Sequence, residues 1–271
     1  VNRRAYIGNI KRETYYSSDH TNVEFDAQHD RIIKSPVNRF DIFPDTNFID
    51  VATDDGDQIV KLMGYGDKLL QFKKNTLYIL NVSGDFEFLE RTEKHMGIQK
   101  PYAVCNFEGG IAWVNQYGLF LYNGEKIVNA IDSKLRPDGA SGWAEFIGET
   151  GMIGYVPALK QLVVFEDPDS SLQSGNILVF DLKTQSWTKG IGKVSTSLKS
   201  NIVNDYDGSC LYLATDAGSP TEPAYQNTYA VGAPADDWVW FAEVEDGFGI
   251  AHFDLNLWEQ IGSEAYQAQF P

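Results

Sequence analysis

Leu77-Tyr78-Ile79-Leu80-Asn81-Val82-Ser83-Gly84, running into Phe86-Glu87-Phe88, is the stretch that decides the fold. A short run of aliphatic and aromatic side chains ends on a turn-forming residue, and a second extended run follows at once. That pattern is strand, tight turn, strand. It returns as Leu119-Phe120-Leu121-Tyr122-Asn123-Gly124 leading into Lys126-Ile127-Val128, and as Ile177-Leu178-Val179-Phe180-Asp181-Leu182 leading into Trp187. A fourth copy is Ile250-Ala251-His252-Phe253-Asp254-Leu255, leading into Trp258. The strand just upstream repeats as well, at Leu69, Ile111, Leu162 and Leu211, with intervals of 42, 51 and 49 residues. Four-stranded propeller blades recur with a period of roughly 40 to 50 residues.

The fold class expected is therefore all-β, a β-propeller of four-stranded blades, about five or six in number. Three blades are expected near 57–92, 100–131 and 151–190. A fourth begins near Leu198, and the strands after Trp238 belong to it or to the next. Residues 5–52, with Arg4-Ala5-Tyr6-Ile7-Gly8 and Arg31-Ile32-Ile33-Lys34-Ser35, read as the outer strands of an earlier, incomplete blade. The whole chain, 1–271, reads as one propeller domain and as a piece of something longer, with 220–271 an uncertain terminal blade or extension. One helix is expected, around Ile131 to Ile147, weakened by Pro137, Gly139 and Gly142. Parallel α/β folds need helix-length crossovers, which the pattern does not supply.

The chain has 271 residues, 43% apolar and 13% aromatic, so it folds rather than forming an acidic tail. Lys and Arg number 22 against 38 Asp and Glu, a formal charge of −16. Such a balance argues against gripping nucleic acid by phosphate neutralisation and against docking on an anionic membrane face. No apolar run approaches a membrane span of roughly 20 residues, and no signal peptide is visible. Cys105 and Cys210 are too few for a disulfide framework and match no zinc spacing. Both read as buried small hydrophobes on strands.

The sequence offers little that resembles catalysis. His20, His29 and His95 fall in polar stretches and His252 on a strand, and no pair has metalloprotease spacing. No Gly-x-Ser-x-Gly elbow, phosphate-binding glycine loop or sialidase Asp-box occurs. Gly64-Tyr65-Gly66 reads as a hairpin turn. Four acidic clusters could in principle supply a glycosidase pair or calcium ligands: Asp54-Asp55-Gly56-Asp57, Glu166-Asp167-Pro168-Asp169, Asp205-Tyr206-Asp207-Gly208 and Asp236-Asp237. Each lies between strands beside Gly or Pro, so turn chemistry is the expected explanation. No catalytic residue, cofactor or metal is expected, and no enzymatic activity. Trp238 and Trp240 alternate on one side of a strand, as blade core or, with Trp143, as an exposed platform for sugar or a protein partner.

Gly175-Asn176 through Trp187 resembles the kelch strand-turn-strand phrase, in which Asp181 and Thr184 close a turn and Trp187 packs between blades. Three longer segments carry a further resemblance. They are Arg31-Ile32-Ile33-Lys34-Ser35-Pro36-Val37-Asn38-Arg39-Phe40-Asp41-Ile42-Phe43-Pro44, Leu70-Gln71-Phe72-Lys73-Lys74-Asn75-Thr76-Leu77-Tyr78-Ile79-Leu80, and Gly110-Ile111-Ala112-Trp113-Val114-Asn115-Gln116-Tyr117-Gly118-Leu119-Phe120-Leu121-Tyr122-Asn123-Gly124. Over residues 5–190 the chain resembles the tail tubular or nozzle propeller proteins of short-tailed bacteriophages. The resemblance implies a structural virion protein, copies of which form a sixfold ring with portal, adaptor and tail-fibre partners. Genome DNA would pass through the lumen in transit. An acidic lumen would repel phosphate and let DNA slide. The alternative from the same reading is a carbohydrate- or receptor-binding propeller module.

Overall fold

A computed structural model describes residues 1–15, 23–53, 55–84, 86–131, 134–135, 142–167, 176–190, 198–204, 211–216, 240–243 and 248–253. The described strands form five antiparallel sheets, one of three strands and four of four. The fold is an all-β propeller assembled from such blades.

The first sheet is a long hairpin of β1 (Tyr6–Tyr15) and β2 (Val23–Lys34), followed by β3 (Phe48–Asp50) on the far side of β2. The second sheet is a meander of β4 (Ile59–Tyr65), β5 (Lys68–Lys73), β6 (Thr76–Asn81) and β7 (Phe88–Lys94). The third runs through β8 (Val104–Phe107), β9 (Gly110–Asn115), β10 (Gly118–Tyr122) and β11 (Ile127–Asn129). The fourth runs through β12 (Met152–Val156), β13 (Gln161–Phe165), β14 (Ile177–Asp181) and β15 (Trp187–Gly190). These three meanders match the blades expected from the repeats to within a few residues. Leu69, Ile111 and Leu162 each stand on the second strand of their sheet.

The fifth sheet comprises β16 (Leu198–Asn204), β17 (Leu211–Asp216), β18 (Trp240–Glu243) and β19 (Phe248–Phe253). Its spatial order is β16-β17-β19-β18, so the last described strand lies inside and the described strand before it takes the edge. The strands after Trp238 thus join the blade begun at Leu198. Trp238, and the side chains of Trp240 and His252, lie outside the described residues, as do Cys210, His20 and most of 220–271.

Two compact units result. One holds residues 1–101 with 123–126, and the other holds 102–122 and 127–271. In the first, Ile32, Val51, Ile59, Leu69, Tyr78 and Leu80 form a common core. In the second, the middle strands are buried on both faces: β9 through Ile111, Ala112, Trp113 and Val114, and β13 through Leu162, Val163, Val164 and Phe165. Middle strands of stacked blades have no solvent face, which is why they read as continuous apolar runs rather than alternating ones.

The recurring turn residue has one job in three sheets. The Asn81 side-chain carbonyl accepts the Ser83 N–H at 3.0 Å. The Asn123 carbonyl accepts the N–H groups of Glu125 at 3.0 Å and Lys126 at 2.8 Å. The Asp181 carboxylate accepts those of Lys183 at 2.8 Å and Thr184 at 2.9 Å. Each side chain closes its own turn and so ends the third strand at a fixed place. These N–H groups, with burial working against them, hold the Asp181 carboxyl below its ordinary pKa. Asp181→Ala is expected to cost about 1 kcal/mol in urea unfolding, while Asp181→Asn, which keeps the acceptor, stays near wild type. Equal losses for the two variants would show that charge, not the turn bond, matters here. At the β4–β5 hairpin, Gly66 takes φ +54 between the paired Tyr65 and Lys68, confirming a hairpin turn there.

The expected helix shrinks to one short segment, α1 (Trp143–Ile147). Gly148, at φ +48, ends it, and a side chain at that position would overlap the Asp167 carboxylate. Cys105 also departs from expectation. It lies on β8, an edge strand, and is half-buried rather than buried.

Candidate functional site

Within the first unit Asp55 and Asp57, of the first acidic cluster, build a cage as well as a turn, and Asp54 lies outside the described residues. Lys73, the last residue of β5, has a fully buried side chain. Its ammonium donates to Asp30 Oδ1 at 2.7 Å, Asp55 Oδ1 at 2.7 Å and the Ala52 carbonyl at 2.8 Å. The Tyr78 hydroxyl donates to the other Asp55 oxygen at 3.2 Å. Asp57 accepts the backbone N–H groups of Lys74 at 3.1 Å and Asn75 at 2.9 Å, tying the 55–57 turn to the β5–β6 turn. Burial alone would push the Lys73 pKa down, but the bonds and charges of Asp30 and Asp55 outweigh it and leave it raised. Burial likewise favours a neutral Asp55, yet the Lys73 contacts and the Asp57 N–H hold its carboxyl below the ordinary value. The cluster is a saturated ion-pair network. The Asp30 and Asp55 oxygens nearest Lys73 are both engaged by its ammonium.

The second acidic cluster is equally occupied. Asp167 is buried, accepting the Glu149 N–H at 3.0 Å and the Thr150 hydroxyl, and it fixes the chain just after α1. Glu166 accepts the backbone and side-chain N–H groups of Asn176 at 3.1 and 3.2 Å. Among the described residues, backbone and hydroxyl donors occupy Asp57, Glu166 and Asp167, and Lys73 occupies Asp55; Asp54 and Asp169 lie outside the described residues. Asp205, Asp207, Asp236 and Asp237 lie outside the described residues. Among the described residues no group of three His, Cys, Asp or Glu is placed to hold a metal ion. His29 lies exposed with Nδ1 2.7 Å from the Asn9 side-chain oxygen, and His95 occupies an exposed turn at φ +64.

Trp143 is buried, not a platform. Only 2% of it is exposed. Its indole N–H donates to the Asn115 carbonyl at 2.7 Å, and its ring meets Trp187 edge-on at 5.9 Å. Trp187 packs on Phe180 at 4.9 Å and donates to the Ala130 carbonyl at 3.3 Å. Its ring thus fills the space between α1, the third sheet's end and β14, the packing role expected for it. A cleft of about 200 Å³ opens beside this cluster, lined by Trp143, Phe146, Leu178, Trp187 and Lys189. Its aromatic edges are held by packing and backbone bonds, and among the described lining residues the charged one is Lys189.

What stands out on the surface is apolar. Val37, Phe40 and Ile42 are exposed on the segment joining β2 to β3, with Phe40 at 58%, and Phe48 is exposed at the start of β3. Phe86, Phe88 and Leu89 are exposed at the start of β7, with Phe86 at 87%. The two segments are tied together by Lys34, whose ammonium meets both oxygens of the well-covered Glu87 at 2.5 and 2.6 Å. Arg3 and Arg4 border the same region. The Arg3 carbonyl accepts the Asn38 N–H at 2.8 Å, and the Arg4 guanidinium donates to the Ser35 carbonyl at 3.0 Å. Soluble surfaces scatter single apolar residues, whereas here seven large ones are exposed on two short stretches of one unit. Charge is also unevenly placed. Residues 1–101 carry 14 Lys and Arg against 16 Asp and Glu, and residues 102–271 carry 8 against 22. The acidity of the chain thus belongs almost wholly to its second part. No helix among the described residues is long and apolar enough to cross a membrane.

No protein-family model matches the chain, and no curated protein matches it by sequence. Solved structures similar to it include Hsv2 of Kluyveromyces lactis, with 9% identity and a TM-score of 0.45 over 72% of this chain and 55% of that one. A putative 6-phosphogluconolactonase of Bacteroides fragilis gives 14% identity and a TM-score of 0.47 over 75% and 63%. An oligogalacturonate lyase in complex with manganese gives 12% and 0.37 over 89% and 76%. The chain spans little more than half of Hsv2. Two of the three carry enzyme names, so they lend no support to the expected absence of catalysis, and at these identities they confer no activity either. None of the three bears a virion name.

Proposed function

We propose that this chain is a structural propeller module of a virion tail, one of several copies arranged around a channel for DNA. The observation that carries the reading is the exposed apolar surface on residues 37–48 and 86–89. Three of its residues, Val37, Phe40 and Ile42, fall on the segment Ser35 to Pro44, whose wording resembles the phage tail propellers. A surface of this kind serves association between subunits, while the described residues of the acidic clusters are taken up by turn donors and by Lys73. The charge of the second part suits a wall past which phosphate slides without sticking. Portal or adaptor subunits and fibres are the further partners that the resemblance implies.

Electron microscopy of the protein, or of particles containing it, tests the reading. The expected outcome is class averages with rotational symmetry and an open central channel. Isolated single propellers with a closed axial pocket would overturn it.

A further inference from the structure

We infer that Phe86 of one copy of this chain is an anchor that enters the aromatic cleft beside Trp143 and Trp187 of a second copy. The inference rests on the ring reading above and names one contact by which copies would join.

The cleft selects its occupant by size and by chemistry. Its volume is about 200 Å³, and an apolar cavity of about 150 Å³ already takes a benzene ring. Trp143, Phe146, Leu178 and Trp187 wall it, with Thr188 and Lys189 beside them on β15. Both indole N–H groups are consumed, that of Trp143 by the Asn115 carbonyl at 2.7 Å and that of Trp187 by the Ala130 carbonyl at 3.3 Å. These bonds lock the two rings and leave them only apolar surface to offer, which suits a hydrocarbon ring.

The chain carries such a ring in projecting form. Phe86 is the most exposed large apolar residue among the described ones, at 87%. It lies in the connection between β6 and β7 rather than on a strand. Both ends of that connection are fixed. Ser83 donates its N–H and its hydroxyl to Asn81 at 3.0 and 2.6 Å, and Glu87 meets Lys34 through both carboxylate oxygens. A ring on a held stem and a cleft with locked walls lose little freedom on docking. A lone aromatic in a preformed pocket is a common form of interface anchor. One ring covers far less than the roughly 1,000 Å² of a stable interface, so Phe86 anchors the contact without being the whole of it.

The ring belongs to the first unit and the cleft to the second. Pairing two different surfaces of identical chains is head-to-tail, and it closes into a ring when the rotation closes. The anchor contact uses no charge, while each copy carries −16. Salt screens that repulsion and should therefore tighten the association.

The test is sedimentation of the whole 271-residue chain, of Phe86→Ser, and of two variants that plug the cleft, Leu178→Trp and Lys189→Trp. Phe86 and Lys189 are exposed and Leu178 is half-buried, and unchanged thermal melts identify the variants that keep the fold. Wild type is expected to associate beyond dimers. Phe86→Ser and each plugged variant should associate about tenfold more weakly, the loss typical of truncating one anchor residue. Mixed in equal amounts, Phe86→Ser and a plugged variant should regain association and stop at a one-to-one pair, because one usable ring and one usable cleft remain between them. A mixture that does not pair overturns the contact. Association of Phe86→Ser at wild-type strength also overturns it and leaves the ring reading standing. Wild-type dimers that Phe86→Ser dissociates support the contact and overturn the ring. A wild-type chain that stays monomeric at the highest attainable concentration overturns both.

Discussion

Lys73→Met is expected to destabilise the chain by about 3 kcal/mol, at the lower end of the loss for breaking a buried ion pair. The lower end applies because Asp30 and Asp55 keep 19% and 29% of their side-chain surface, so water can partly replace the missing ammonium. The loss comes from what remains. Two carboxylates and the Ala52 carbonyl would face a methyl thioether, with no donor of equal strength. The sign of the pH dependence follows from the two shifts. Asp55 is depressed in the fold, so its contribution is present above the ordinary carboxylate range and fades as pH falls through the folded value. Lys73 is raised, so its contribution is present below the ordinary lysine value and fades as pH climbs through the folded one. Wild type should therefore lose more stability than Lys73→Met between pH 6 and the acid limit. Urea unfolding at neutral pH and thermal melts down the acid side measure both effects. Identical melts would show the cage to be dispensable. The double variant Lys73→Met/Asp55→Asn should lose less than the sum of its parts, because the first change has already stranded the carboxylate.

Trp143→Ala is the other large expected effect, about 3 to 5 kcal/mol. It removes a buried indole that packs on Trp187 and Phe146 and whose N–H satisfies Asn115. Trp143→Phe keeps most of the volume and should cost about 1 kcal/mol, the net worth of one hydrogen bond. This pair of variants also separates packing from recognition. A sugar-stacking tryptophan would lose glycan binding on replacement while melting normally. A packing tryptophan melts early and never bound glycan. Normal melting of Trp143→Ala would reverse the assignment made from its burial.

The repeats were legible because their cause is local. Asn81, Asn123 and Asp181 recur at one structural position since each closes its own turn, a property carried by neighbours in sequence. The middle strands were legible because burial on both faces writes an unbroken apolar run. What escaped is non-local. Lys73 reads as a solvent-facing lysine ending an apolar strand, and its partners lie 18 and 43 residues away. A lysine inside a doubly buried strand, with an acidic turn upstream, was the available signal. Trp143 sits at the far end of the stretch read as a helix weakened by Pro137, Gly139 and Gly142, and its burial depends on Asn115 and Trp187, 28 residues before it and 44 after. The apolar surface escaped for the opposite reason. Phe40 and Phe86 look like core in any one-dimensional reading, and only the fold leaves them outside.

The order of strands in the fifth sheet bears on how the chain is made. The second, third and fourth sheets each pair neighbours in sequence, so each can close as soon as its own few dozen residues have left the ribosome. The fifth cannot follow that rule. β17 waits for β19, and β18, although synthesised earlier, has no place until β19 is laid down beside it. A nascent chain stopped before Phe248 would therefore lack two strands rather than one, and it would carry the bare edge of β17 through the interval when misassembly is easiest. Translation through the last strand is what converts that edge from a liability into a sheet interior.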